Sequence, residues 1–361
     1  HPLQPFDPRN FRADAPFGFD AAELAGARAT QRHSRDPVAP SGLAVETLAP
    51  PVLTDVDLDD LVAFLVHPSQ GFLRQRLGVR IPELDEGIVD ALDVELDPLA
   101  KWNLGDRMLE ARLAGMSAAD FRAAEWRRGT LPPYALGEKV LDDVTYEVEG
   151  LVAACAPVHA GRAQTVDVVF DLGDGRRFTG TVGGVHGTVV ARSTYSKLGP
   201  KHRLTAWVQL LAVAASGRPG QWKAVTTGRS RSRLPAWRST LLAPADAAEQ
   251  LRRLVDLRDR GLRTPLPMVT GASSEYAERR HRGDSVEMAI TAASRAFGGA
   301  FGDGQDRHVS YLHGSGVTLG ALTDPKPLDD ERSWFDDPSR FGVLARRLWE
   351  PLLASENQAR P

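Results

Sequence analysis

Several groups of residues in this 361-residue chain have the types that hydrolytic or metal chemistry needs. Asp167 and Asp171 stand four apart in TVDVVFDL, which puts two carboxylates on one face of a β-strand. A carboxylate pair holds a divalent ion, and a metal-dependent nuclease adds an acid, one residue and then a lysine on the next strand. The chain has one such triplet, Asp324-Pro325-Lys326, where proline argues against an interior strand. Asp55, Asp57 and Asp59 suggest a calcium loop, but Asp60 stands where the turn glycine belongs and Val66 where the bidentate glutamate belongs. These acids instead precede the apolar run LVAFLV and complement the dipole at a helix start. His67, just before Pro68, has no second metal ligand at a recognisable spacing and reads as a helix-end residue. HGSGV at 313–317 lacks the nucleophile pattern Gly-x-Ser-x-Gly, and no glycine cluster ends in Gly-Lys-Ser/Thr, so neither a serine hydrolase elbow nor a phosphate loop is written here.

The remaining chemistry is cationic. GRSRSRLPAWR, from Gly228 to Arg238, interleaves Arg229, Arg231 and Arg233 with Trp237. Arginine contacts phosphate and tryptophan stacks on a base. The same stretch also reads as a solvated hairpin tip whose tryptophan packs inward. Arg192, Lys197, Lys201 and Arg203 are further candidates, and they form a DNA surface only if the fold brings them to the face of the 229–238 cluster.

The elements that must position these residues centre on Phe178 to Gln209. Phe178 to Val185 and Thr188 to Tyr195 are rich in Val and Thr and are joined by a short link, the pattern of a hairpin. After Gly199-Pro200 the period changes, with Leu204, Trp207, Val208 and Leu211 on one helical face. Gln164 to Leu172 and Trp222 to Thr227 are further strands, and Leu172-Gly-Asp174-Gly175 is a turn. Helices are expected over 54–66, through 88–137 with a capping box at Ser117 to Asp120, over 245–261 and over 341–353, whereas 301–309 reads as a loop. Residues 1–52, dense in Pro, Gly and Ala, read as an extended connector, followed by a domain over 53–361 that is helical to 150, sheet-forming over 151–240 and helical again from 241.

Composition bounds the function. With 42% hydrophobic and 25% charged residues the chain is an ordinary globular sequence, and a net charge of -3 means that any nucleic-acid contact comes from a local patch. The single cysteine, Cys155, excludes an internal disulfide, a four-cysteine zinc site and a cysteine-held cluster, which fits a reducing cytoplasm. No run approaches the ~20 apolar residues of a membrane span, and the start HPLQPF, without methionine or signal core, points to a piece of a longer protein.

Strand, strand, helix in this order is similar to the core of restriction-endonuclease-like nucleases, an α/β fold with a central mixed sheet flanked by helices. HPLQPF, HPSQGFLRQRLGV, RLTAWVQLLAVAASG and LRDRGLRTPLP together resemble the C-terminal region of the RecC family, the gamma subunits of exodeoxyribonuclease V. The resemblance places the metal-binding acid of active nucleases near Gly183 or Gly184, and the second acid and lysine at Ala191 and Ser193. No carboxylate stands at any of them, so the resemblance implies a degenerate nuclease domain without catalytic residues, metal or cofactor. It further implies a non-catalytic part of a helicase–nuclease complex in recombinational repair, handling duplex DNA ends and single-stranded tails beside RecB-like and RecD-like subunits. Two other readings compete with it: an active nuclease whose ligands have moved to Asp167 or Asp171, and a subunit-interaction module that touches no DNA.

Overall fold

The computed structural model describes residues 4–14, 17–35, 43, 47–50, 52, 54–82, 95–232 and 234–361. The first helix, α1 (Ala21–Arg35), lies inside the stretch expected to be extended. Its sequence AAELAGARATQRHSR is rich in Ala and Arg, which favour helix, and Asp20 Oδ1 accepts the amides of Ala22 and Glu23 at the N-terminus. Local propensity therefore wins over the proline-rich flanks.

A two-residue strand, β1 (Val56–Asp57), then leads into α2 (Leu58–Val66) and the one-turn α3 (Pro68–Gly71). Asp57 caps α2, accepting from Asp59 N at 2.8 Å and Asp60 N at 3.3 Å, so the acids do start a helix. Three helices follow: α4 (Pro98–Leu113), α5 (Ala118–Arg128) and α6 (Ala135–Cys155). Ser117 Oγ accepts from Asp120 N at 3.0 Å, and Gly129 ends α5 in the left-handed conformation, φ 74°.

The sheet strands and their covering helix come next: β2 (Gln164–Asp171), β3 (Arg177–His186), β4 (Val189–Lys197), α7 (Pro200–Ala215), β5 (Lys223–Arg229) and β6 (Trp237–Leu242). The C-terminal part contains α8 (Ala247–Arg263), α9 (Thr270–His281), α10 (Val286–Gly298), α11 (Arg307–His313), α12 (Leu319–Thr323), α13 (Arg340–Ser355) and the strand β7 (Glu356–Ala359). Two expectations change here. The segment 301–309 is a loop with a 3-10 turn at Asp303–Gln305 only to Asp306, which caps α11, and the chain end expected to be helical closes the sheet with β7.

The seven strands form one mixed sheet in the order β1-β3-β4-β5-β6-β7, with β2 antiparallel to β3. The β1–β3 and β4–β5 pairs are parallel and the others antiparallel. One face packs on α2, α7, α8, α9 and α13 through a core including Leu58, Phe64, Phe178, Trp207, Leu211, Tyr276 and Trp349. A second core, containing Leu104, Met108, Leu141, Val148 and Tyr195, seats α4, α5 and α6 against the other face. The approach of α4 to β4 is close enough that a Cβ at Gly105 would sit 2.1 Å from the Tyr195 ring, so this helix position needs glycine.

Candidate nucleic-acid interface

The positions at which the resemblance expects nuclease carboxylates lie on β3 and β4. A Cβ on Gly183 would reach open space, while at Gly184, φ +68°, it would meet Ala191 O at 2.7 Å, so the glycine there serves the backbone bend. Ala191 is 6% exposed and pairs with Val225 on β5; Ser193 pairs with Thr227. These residues share a strand face with Tyr195, the face that α4 and α6 cover. Of the two acids that could substitute, Asp167 accepts a hydrogen bond from Thr181 Oγ1 at 2.9 Å and Asp171 accepts from Gly173 N at 2.8 Å in the turn. Each holds local structure, and no third acid joins them to form a ligand cluster among the described residues.

A cavity of about 650 Å³ opens between the N-termini of α7 and α9, the loop from α10 to α11 and the junction of α2 with α3. Lys197, Lys201, Arg231, Arg279 and Arg295 line it against three carboxylates, Glu275, Asp303 and Asp306. Arg231 stands 3.8 Å from Glu275 and Arg279 pairs with Asp284 at 3.2 Å. Lys197, Lys201 and Arg295 are exposed and have no salt-bridge partner among the described residues. Asp303 is occupied in holding the loop, since its carboxylate accepts from Ala272 N at 2.7 Å and Gly271 N at 3.3 Å. Burial pushes its carboxyl up, against those amides and the charge of Lys201. A Cβ at Gly302 would meet Phe297 O at 2.3 Å, so the same loop is tightly folded, and it presents Phe301 with its whole side chain in solvent. His202 on the cavity wall is held below its ordinary pKa by burial and by the charges of Arg192 and Lys201.

The candidate cations of the sequence therefore separate. Lys197, Lys201 and Arg231 meet at this cavity, whereas Arg229 lies 4.1 Å over the Tyr195 ring and donates to Glu147 at 2.6 Å. Trp237 donates its Nε1–H to Gln358 on β7 at 3.1 Å, lining a smaller recess with Arg229 and Arg231. Arg192 is largely buried beneath α7, donating to Gln209 at 2.8 Å, with burial pushing its pKa down. Arg203 is 5% exposed and held by Glu278 at 2.6 Å and by Glu356, so its guanidinium is unavailable to a phosphate. Arg233 lies outside the described residues. Sequence reasoning did not single out Arg279, Arg295 or Phe301. The only signal for them was an aromatic set between glycines in GGAFGDG, a composition that leaves a side chain without neighbours to bury it.

His67 does end a helix, as its place before Pro68 suggests, and its Nδ1 accepts from Gln70 N at 3.3 Å. Its Nε2 lies 2.9 Å from Asp306 Oδ2, however, and His308 Nδ1 lies 3.3 Å from Asp306 Oδ1. The ligand atoms of His67, Asp306 and His308 all lie within 4.8 Å of one another. Their sequence separation of 239 residues, His67 to Asp306, hides this from any local spacing rule. Burial works against charge on Asp306, yet His67 and the amides of Val309 and His308 hold its carboxyl far below the usual carboxylate range.

Residues 53–281 match the RecC C-terminal domain family. The chain is 38% identical over 367 residues to "RecBCD enzyme subunit RecC" of Mycobacterium tuberculosis, an alignment covering 99% of this chain and 32% of that protein. The Mycolicibacterium smegmatis protein of the same name is 37% identical over 365 residues, covering 100% of this chain and 33% of that protein. The Escherichia coli one is 26% identical over 274 residues, covering 74% and 22%. The chain thus spans about a third of the length of the mycobacterial relatives.

Proposed function

The chain belongs to the RecC C-terminal domain family, and from that premise we propose that it is a non-catalytic scaffold and DNA-handling domain of a RecC-like subunit. It works in a helicase–nuclease assembly on double-strand DNA ends, beside RecB-like and RecD-like subunits, and helps to split the duplex and guide its strands. The observation that carries the DNA reading is the cavity wall. Among the described residues, Lys197, Lys201 and Arg295 have no salt-bridge partner, whereas arginines such as Arg107, Arg176, Arg203, Arg260 and Arg340 are engaged with carboxylates, and the net charge of the chain is -3. Unpaired cations facing one cleft are the electrostatic signature of phosphate contact. Phe301, wholly exposed at the rim on a loop held by Asp303, offers a base a face on which to stack.

The nuclease-like core serves this role as a frame. A restriction-endonuclease-like reading fits the strand–strand–helix run of β3, β4 and α7, but Ala191 and Ser193 supply no ligand and α4 with α6 occupies the face they share. Two acids engaged in hydrogen bonds, Asp167 and Asp171, give little support to relocated catalysis. The interaction-module reading draws on a different surface, the α4–α6 layer, where Leu99, Tyr134, Leu136 and Tyr146 are exposed. A subunit contact there leaves the cationic cavity free, so both roles fit one domain.

Charge reversal tests the reading. Lys201→Glu and Arg295→Glu, measured with a forked duplex over a salt series, should each weaken binding and reduce the slope of log affinity against log salt by about one. Unchanged affinity and slope in both variants would remove the cavity from the DNA path.

A further inference from the structure

We propose that His67, Asp306 and His308 form a binding site for a divalent transition-metal ion of the zinc and cobalt type. This goes beyond the DNA-handling reading and does not depend on it. The donor set is two imidazoles and one carboxylate, which suits borderline ions and not the all-oxygen shells of magnesium or calcium. Three protein ligands with a remaining open position is the arrangement of ions that keep one site for water or another ligand. His67 and Asp306 both line the cavity, which puts the site on the wall of the cationic cleft.

The ligands are preorganised from several directions. Asp306 caps α11, with Oδ1 accepting the amides of His308 at 2.8 Å and Val309 at 3.2 Å, and this leaves Oδ2 directed at His67. His67 is fixed at the junction of α2 and α3 and His308 at the start of α11, with their ring centroids 5.2 Å apart in an edge-to-face arrangement. Gln70 backs His308, its side-chain amide 3.3 Å from Nε2. With that amide turned so that its oxygen faces the ring, His308 donates Nε2–H to Gln70 and frees Nδ1 for the ion, the outer-shell pattern expected of a ligating histidine.

Proton bookkeeping gives the site its character. Without metal, His67 Nδ1 accepts from Gln70 N, so Nε2 carries the proton and donates to Asp306. Binding through Nε2 moves that proton to Nδ1 and breaks the 3.3 Å contact with Gln70 N, one weak cap worth about 1 kcal/mol. The ion would join the α2–α3 junction to α11, segments 239 residues apart, through one centre.

The test uses the whole 361-residue chain, stripped of metal with chelator and titrated with Co2+. The expected result is a visible absorption band saturating at one equivalent and discharged by Zn2+. The band should weaken by about 100-fold or more in apparent affinity in Asp306→Asn and His308→Gln. His186→Gln is the control, because His159 and His186 form another close histidine pair, centroids 5.4 Å apart, and this variant should bind as the unaltered chain does. Circular dichroism establishes that each variant is folded, and His308→Gln retains the Asp306 cap if Asp306→Asn does not fold. Absence of a saturable band in the unaltered chain, or its persistence in the folded His308→Gln variant, overturns the proposal. Loss of the band in His186→Gln alone assigns it to the other pair and overturns it equally.

Discussion

Arg203 offers the sharpest separation between holding the fold and contacting DNA. From the sequence it is one of four cations on the hairpin–helix unit, yet its Nη1 donates to Glu278 Oε1 at 2.6 Å and its Nε to Glu356 Oε1 at 2.8 Å. Those two ion pairs join α7 to α9 and to β7, and Glu356 is itself only 3% exposed. Burial alone would lower the Arg203 pKa, but the two carboxylates raise it above the ordinary arginine value. Arg203→Met keeps the length and removes the charge, leaving Glu356 buried without its partner at a cost of about 3–5 kcal/mol. At roughly 2–4 °C per kcal/mol for a domain of this size, melting should fall by about 6–20 °C. Adding Glu356→Leu should recover most of the loss, because a well-packed apolar pair often matches a buried ion pair. The assays are thermal melting and urea titration alongside DNA binding at a temperature where every variant is folded. Unaltered melting together with weakened DNA binding in Arg203→Met would refute the assignment of this arginine to the interior.

Three further outcomes follow from buried groups. Cys155 is fully buried, and burial raises its thiol pKa against the opposing effects of Thr227 and Arg238, so a thiol reagent should label it only after denaturant is added. His313 has a buried Nε2 with no hydrogen-bond partner, and burial lowers its pKa to about 4. Its unfolded form takes up a proton near pH 6.5 and its folded form does not, so stability is level above that pH and declines as pH falls from 6.5 toward 4. The loss attributable to it at pH 5 is about 2 kcal/mol, read as the change between pH 7 and pH 5 in the stability difference between the unaltered chain and His313→Leu by urea unfolding. Gly105→Ala would place a Cβ 2.1 Å from the Tyr195 ring, so despite its better helix propensity it should destabilise by about 1–3 kcal/mol, detectable as a lower urea midpoint.

The legible part of the fold is the part whose signal is local. β3, β4 and α7 show in the change from a Val/Thr pleat to the Leu204, Trp207, Val208, Leu211 face, and Ser117 and Gly129 mark the ends of α5 as capping rules require. The short strands were not legible. β1 is two residues long, and β7 is ENQA, three polar residues and an alanine that pair with the edge of β6. The candidate site divides the same way. Lys197 and Lys201 flank the predictable start of α7, but the partners of Arg203 and His67 come from Glu356 and Asp306, far along the chain. Charge alone cannot tell a phosphate contact from a buried ion pair, since both use the same residue type.

The most direct test of a DNA-handling domain without nuclease activity is one titration: a labelled forked duplex against the 361-residue chain at low and moderate salt, with magnesium or manganese present and cleavage scored in the same tubes. Binding that weakens steeply with salt, lost in Lys201→Glu combined with Arg295→Glu, and without product at any metal concentration, is the expected result. Metal-dependent cleavage abolished by Asp167→Ala would contradict it.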